Sequence, residues 1–317
     1  MLGSEETRQF LLKTVGEKKI AEERWLCKDL IYQNSICILD SSNSSEKSYL
    51  ALQLAVSFIT QKSFLLSKFK WSEGRNKKVA YITTKIENPI EIVSNRLLQI
   101  CEIYNLDNLD IKSMIDNLKV IYLPHFFIAN PETQLITVTK AFMDIANYIR
   151  ENKIELAIID PIAQFFLIDM NSNERIVAIY EKLQNIPTTW FLVHNQTKYS
   201  KDKNTENTTY RGASAIRDIA QLRLTVGKRN IPQYRSTVTD LFIDKANFSQ
   251  YNQHHIFLSL NPPFELVSKE ICPHITFMSI EELKNTKKKT KNIKRHFGFN
   301  KLDDLEYEDY DDVDLGT

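Results

Sequence analysis

Ser35-Ile-Cys-Ile-Leu-Asp-Ser-Ser-Asn-Ser-Ser-Glu-Lys47-Ser48 begins as a short apolar run and ends on a lysine and a hydroxyl. Ser35 to Leu39 has the length of a buried strand. Beyond Ser48, Leu50, Ala51, Leu54, Ala55 and Phe58 recur at helical spacing, and Ser44 or Ser45 supplies a cap for that helix. Strand, polar loop, helix is thus the local order. Lysine followed by a hydroxyl at the start of a helix is the pattern that holds phosphate. The lysine neutralises phosphate oxygens, the hydroxyl takes Mg²⁺, and the helix N-terminus adds its dipole.

The same alternation continues downstream. Val79–Thr83 reads as a strand, and Asn88-Pro89 opens a helix carrying Ile92, Arg96, Leu97 and Ile100. Val120–Leu123 is a strand before a helix expected to carry Leu135, Val138, Phe142, Ile145 and Ile149 on one stripe. Leu156–Ile159 is a buried run ending at Asp160, Asn173–Gln184 a helix, and Thr188–Val193 a strand. This order predicts an α/β fold, a mostly parallel sheet with helices on both faces. Gln196–Tyr210 is polar and reads as a loop. After a short helix around Ala213–Ala220, the runs Leu222–Val226, Thr237–Ile243 and His255–Leu260 predict added antiparallel strands. Ligands of open parallel sheets bind beyond the carboxyl ends of the strands. The residues standing there are Lys47 and Ser48, then Glu87 as a base for water, Asp160 for the magnesium shell, and His194-Asn195 as a polar sensor.

The 317 residues carry 41 basic and 40 acidic side chains, a formal net charge of +1, so any nucleic-acid contact must be a local patch. Leu156–Ile168, the most apolar stretch, is interrupted by Asp160, Pro161 and Gln164 and is too short for a bilayer. Met1–Lys19 lacks the apolar core of a secretion signal, and Cys27, Cys37, Cys101 and Cys272 lack CxxC spacing; a cytoplasmic chain is expected. Cys272-Pro-His274 has no second ligand pair for a metal. Glycine occurs only seven times, and none lies between Gly16 and Gly74. The organisation expected is an N-terminal helical extension (1–29), a core (30–265), a basic segment (266–302) and an acidic disordered tail (303–317). Lys284–Lys301 holds eight basic residues and Asp303–Asp314 eight acidic ones, and such blocks seldom pack.

Several of these pieces together resemble the RepA-type branch of the RecA-like P-loop ATPases, the hexameric plasmid and phage replication helicases. They are Lys47-Ser48-Tyr-Leu-Ala-Leu-Gln-Leu-Ala55, Glu87-Asn-Pro89 with Arg96, Ile159-Asp160-Pro161 followed by Asn173-Glu174, and His194-Asn-Gln-Thr-Lys198. Arg211-Gly-Ala-Ser-Ala-Ile-Arg-Asp218 and Lys245-Ala-Asn-Phe248 complete the series. The resemblance implies ATP and Mg²⁺ as cofactors, cradled by Ser44, Ser45, Glu46, Lys47, Ser48 and Tyr49, with Ser48 and Asp160 on the metal. It implies catalytic roles for Glu87, Arg96, Asp160, His194 and Asn195, and a ring, expected to be a hexamer. Single-stranded DNA is an expected partner through Lys198, Lys201, Lys203 and Arg211; a solvated loop is the equal alternative. The acidic tail either recruits a protein or only solubilises the chain.

The departures from that family are specific. Its two loop glycines are replaced by Ser41 and Glu46. Glycine serves there because the backbone takes positive φ and approaches phosphate closely, and an L-residue in that conformation costs roughly 1–2 kcal/mol. Glu46 also brings a carboxylate to a place meant for phosphate oxygens. The family's arginine finger falls at Gln221, leaving Arg223 or Lys245 as substitutes. Two readings therefore stand: a replication ATPase with weakened hydrolysis, and a non-catalytic scaffold that binds DNA or protein.

Overall fold

The structure is a computed structural model that describes residues 24–41, 47–66, 69–130, 132–133, 135–195, 214–231, 236–247, 249, 251–259 and 277–279. The chain divides into two compact units, Met1–Phe277 and Met278–Thr317. The first begins, within the described residues, with a small antiparallel pair, β1 (Trp25–Cys27) and β2 (Ile31–Tyr32). β3 (Ile36–Ser41) leads into α1 (Lys47–Thr60), and β4 (Val79–Thr83) into α2 (Ile90–Ile103) and α3 (Asn108–Asn117). β5 (Leu118–Tyr122), β6 (Phe127–Ala129) and β7 (Ile136–Val138) precede α4 (Lys140–Asn152). Next come β8 (Leu156–Asp160), β9 (Phe166–Leu167), α5 (Asn173–Gln184), β10 (Thr189–Asn195) and α6 (Ser214–Ile219). β11 (Leu222–Ile231), β12 (Ser236–Ala246), β13 (His254–Leu258) and the short β14 (Phe277–Ser279) complete the series.

In the large sheet the strands run β13-β12-β11-β3-β10-β8-β4-β5. From β11 to β5 every neighbouring pair is parallel, whereas β12 and β13 attach antiparallel. The expected α/β architecture with antiparallel additions is the one observed. It follows from alternation along each strand. Cys37 and Leu39 point into one core with Tyr81, Ile158 and Val193, while Ile36 and Ile38 point into the other with Ile82, Ile159 and Leu192. A strand buried on both faces reads as a continuous apolar run, which is why these strands are visible in sequence.

α1 is buried on nearly every side and lies in the first core. α4 is amphipathic instead, burying Ala141, Phe142, Ile145, Ala146 and Ile149 in the second core. Leu135 and Val138 do not belong to α4, contrary to the expected stripe. Ile136-Thr-Val138 pairs antiparallel with β6, and Thr139 caps α4 by accepting from the Phe142 amide at 3.4 Å. Ile92 likewise faces outward; Val93 and Ile100 are the residues α2 buries. Trp25–Cys27 is strand rather than helix and is buried, so the core starts before residue 30. Residues 1–23 of the predicted N-terminal extension and the charged 266–317 segment lie outside the described residues, apart from β14.

Candidate functional site

Parallel register brings the carboxyl ends of the central strands to one rim. Thr83 stands beside Asp160 across β4 and β8, and His194 and Asn195 stand beside Asp40 and Ser41 across β10 and β3. α1 begins at that rim with Lys47 and Ser48. Lys47 is buried, 5 % exposed, and feels the carboxylates of Asp40 and Asp160. Burial lowers its pKa below the ordinary lysine value, and those two anions partly restore it.

Asp160 lies on the α1 face of the sheet. Tyr81 donates its hydroxyl to Asp160 Oδ2, and Asn88 Nδ2 approaches the same oxygen at 3.4 Å. The Ser48 hydroxyl also bonds this carboxylate. Asn88 is locked in turn: its Nδ2 donates to Thr83 Oγ1 at 2.9 Å and its Oδ1 accepts from Arg96 Nη1 at 3.0 Å. Burial raises the Asp160 pKa above the usual carboxylate range; the Tyr81 and Ser48 bonds and the charges of Arg96 and Lys47 offset only part of this. Arg96 thus acts on the site through Asn88 and through its field. Glu87 is exposed and accepts from Gln164 Nε2 at 2.8 Å, which ties the loop after β4 to the turn after β8.

A second polar group lies at the same rim on the opposite face. Asp40, Arg223 and His194 follow Ile38 and Leu192 in the alternation, toward the core that holds Tyr180. Arg223 donates to Asp40 Oδ2 through Nη2 at 2.7 Å and Nε at 3.3 Å, and to Asp244 Oδ2 through Nη1 at 2.6 Å. His194 Nδ1 lies 3.5 Å from Asp40 Oδ1. Lys47 sits electrostatically between these two clusters.

Lys47, Ser48, Glu87, Arg96, Asp160, His194 and Asn195 therefore meet along one edge. Tyr49 does not: it is 1 % exposed and packs into the core beneath α1. Arg223 is 2 % exposed and saturated by its own chain, so it is not a side chain that reaches a neighbouring molecule. Gln221 is at the other edge, where its Oε1 accepts from the Ile36 amide at 2.8 Å, and Lys245 Nζ donates to the Asp218 carbonyl at 2.6 Å. Ser41 ends β3 in register with Asn195, and its φ is not positive. The left-handed strain expected at that position does not arise. Ser44, Ser45, Glu46, Lys198, Lys201, Lys203 and Arg211 lie outside the described residues.

The rim is a strand–loop–helix site with a lysine and a hydroxyl at the helix start and a buried carboxylate at the end of β8, one strand beyond β10. A family model for the AAA domain, a P-loop ATPase family, matches residues 5–198, more than half of the chain. The chain belongs to the AAA domain family. No curated protein matches it. The residues of this AAA domain suit Mg²⁺-nucleotide. The Lys47 ammonium would meet phosphate oxygens, while the Ser48 hydroxyl and Asp160 would hold the metal. Among the described residues no group of three or more His, Cys, Asp or Glu is placed to hold a metal by protein ligands alone, and no helix is long and apolar enough to cross a membrane. A metal shared with phosphate oxygens needs only one or two protein ligands.

Asp40, Tyr81, Asn88 and Gln164 were not singled out from sequence. Asp40 carried a signal, a carboxylate closing an apolar strand ahead of Lys47-Ser48, and Asn88 stood inside the Glu87-Asn-Pro89 motif without a role of its own. Tyr81 and Gln164 join the site only through sheet register and the turn after β8.

Proposed function

We propose that this AAA domain is a RepA-like ATPase with weakened hydrolysis, acting as a ring-forming assembly in DNA replication or a related DNA transaction. The observation that carries the reading is Lys47 at the head of α1, flanked by Asp40 and by an Asp160 that Ser48 also touches. When bound, Mg²⁺-ATP supplies an electrophilic γ-phosphorus with its charge partly neutralised by the metal. Lys47 neutralises phosphate charge, and Asp160, held by Tyr81 and Asn88, keeps one orientation as metal ligand. Glu87, exposed and anchored by Gln164, would accept a proton from water. His194 stands at the end of β10, where a sensing side chain belongs.

Weakening is inferred from Glu46, whose carboxylate precedes Lys47, and from Gln221 at the arginine-finger position. An arginine finger is worth about 10³–10⁵ in rate. With Arg223 buried, only Lys245 is left as a stand-in, which favours the second reading, a scaffold that holds DNA or a protein partner without turnover. Steady-state hydrolysis of Mg²⁺-ATP by the wild type and by Lys47→Ala separates the two. A slow rate that Lys47→Ala abolishes is the expected result. A rate at background in the wild type would leave the scaffold.

A further inference from the structure

Asp40 is a buried carboxylate, 2 % exposed, between three strands. Its Oδ2 is filled by the Arg223 guanidinium, which supplies the counter-charge that a buried anion requires. Its Oδ1 is turned to His194 Nδ1, 3.5 Å away, and that nitrogen is buried from solvent. Because β3 and β10 are parallel with Asp40 and His194 in register, the two side chains leave the same face at the same level. Tyr180, from α5, feels the charge of Asp40 from the same core.

An ionised carboxylate can only accept hydrogen bonds, so a ring nitrogen facing it must carry the proton. We propose that Asp40 is a positioning residue of the site: it fixes His194 as the Nδ1-protonated tautomer, leaving the Nε2 lone pair as the ring's free acceptor. The distance is long for a finished hydrogen bond and leaves room for the pair to tighten. A neutral His194 in this tautomer accepts a hydrogen bond from water at the rim and does not donate to a phosphate oxygen. It donates there only as the imidazolium, in which both ring nitrogens carry protons. This consequence for phosphate sensing rests on the nucleotide-binding reading above, whereas the tautomer itself does not.

The test needs no nucleotide. Two-bond ¹H–¹⁵N correlation spectra of the imidazoles, with His194 assigned by His194→Gln, report which ring nitrogen is protonated. They are recorded at alkaline pH, where an ordinary histidine is neutral. The wild type should show His194 protonated on Nδ1. Asp40→Asn, whose amide can donate to Nδ1, should move the proton to Nε2. A wild-type ring protonated on Nε2 would overturn the proposal whether or not the variant folds, and so would a folded Asp40→Asn protein whose His194 spectrum is unchanged. Loss of Mg²⁺-ATP binding with the Nδ1 pattern intact would instead sink only the nucleotide-binding reading.

Discussion

Arg223 illustrates how a single side chain changes meaning between sequence and structure. Read along the chain it is a cation two residues past a family landmark; folded, it bridges Asp40 and Asp244 inside the sheet. Removing one partner of a buried ion pair leaves an uncompensated charge, at a cost of about 3–5 kcal/mol. Arg223→Ala should lose stability of that order in urea unfolding, and adding Asp40→Asn should recover part of it, because the stranded anion is gone. Asp160 makes a prediction of opposite sign. Burial raises its pKa, so the folded state binds this proton more tightly than the unfolded chain does. Its contribution is therefore most favourable below the unfolded value of 3.8 and is lost as pH rises through the raised folded value. Asp160→Asn keeps the shape without the charge. It should melt above the wild type at neutral pH, with the gap closing as pH falls towards 4, roughly the ordinary Asp value, in melting curves recorded across that range.

At the scale of elements, what the sequence revealed depended on burial. β3, β4, β8 and β10 have apolar side chains on both faces, so each reads as an unbroken run bounded by polar residues. α5 begins and ends at the residues its pattern indicates, capped by Ser172. Elements exposed on one side were harder to see. α3 buries only Met114, and the three-stranded β7-β6-β9 sheet is built from two- and three-residue strands whose exposed faces carry Ile128 and Leu167. The scarcity of glycine also has a structural counterpart, since Asp29, Asn34, Gln61, Leu65, Lys77, Asn105, Lys153 and Gln253 all take positive φ. Gly227, by contrast, sits inside β11, paired with Asp240, and a Cβ added there meets no atom within 4 Å. Glycine in a strand interior is worse than a residue with a side chain by roughly 0.5–1 kcal/mol. Gly227→Val should be stabilising by about that amount in the same denaturant titration; destabilisation would show that the open space beside β11 is not free.

Across the whole molecule the sheet itself assembles the site. Lys47, Asp160 and His194 were legible as rim residues because each stands at the end of a strand or the start of the helix after one, and Glu87 because it lies in the loop after β4. Parallel topology sends those ends to one rim. The pairing of Asp40 with Arg223 was not legible, because it joins residues 183 apart and exists only through the β3–β11 register. The result is a rim with a polar cluster on each face, Asp160 with Tyr81 and Asn88 on one and Asp40 with Arg223 and His194 on the other. Lys47 lies in the field of both. This AAA domain thus already balances Lys47 with internal anions, and Glu46 adds a further carboxylate next to it in sequence.

Nucleotide binding at that rim would run through Lys47 against the opposition of Glu46. Equilibrium titration of Mg²⁺-ATP into the wild type, Glu46→Gly and Lys47→Ala addresses it directly. Weak wild-type binding, tighter binding by Glu46→Gly and none by Lys47→Ala is the predicted outcome. Binding by Lys47→Ala at wild-type strength, or no binding by either of the other two proteins at millimolar ATP, would contradict it.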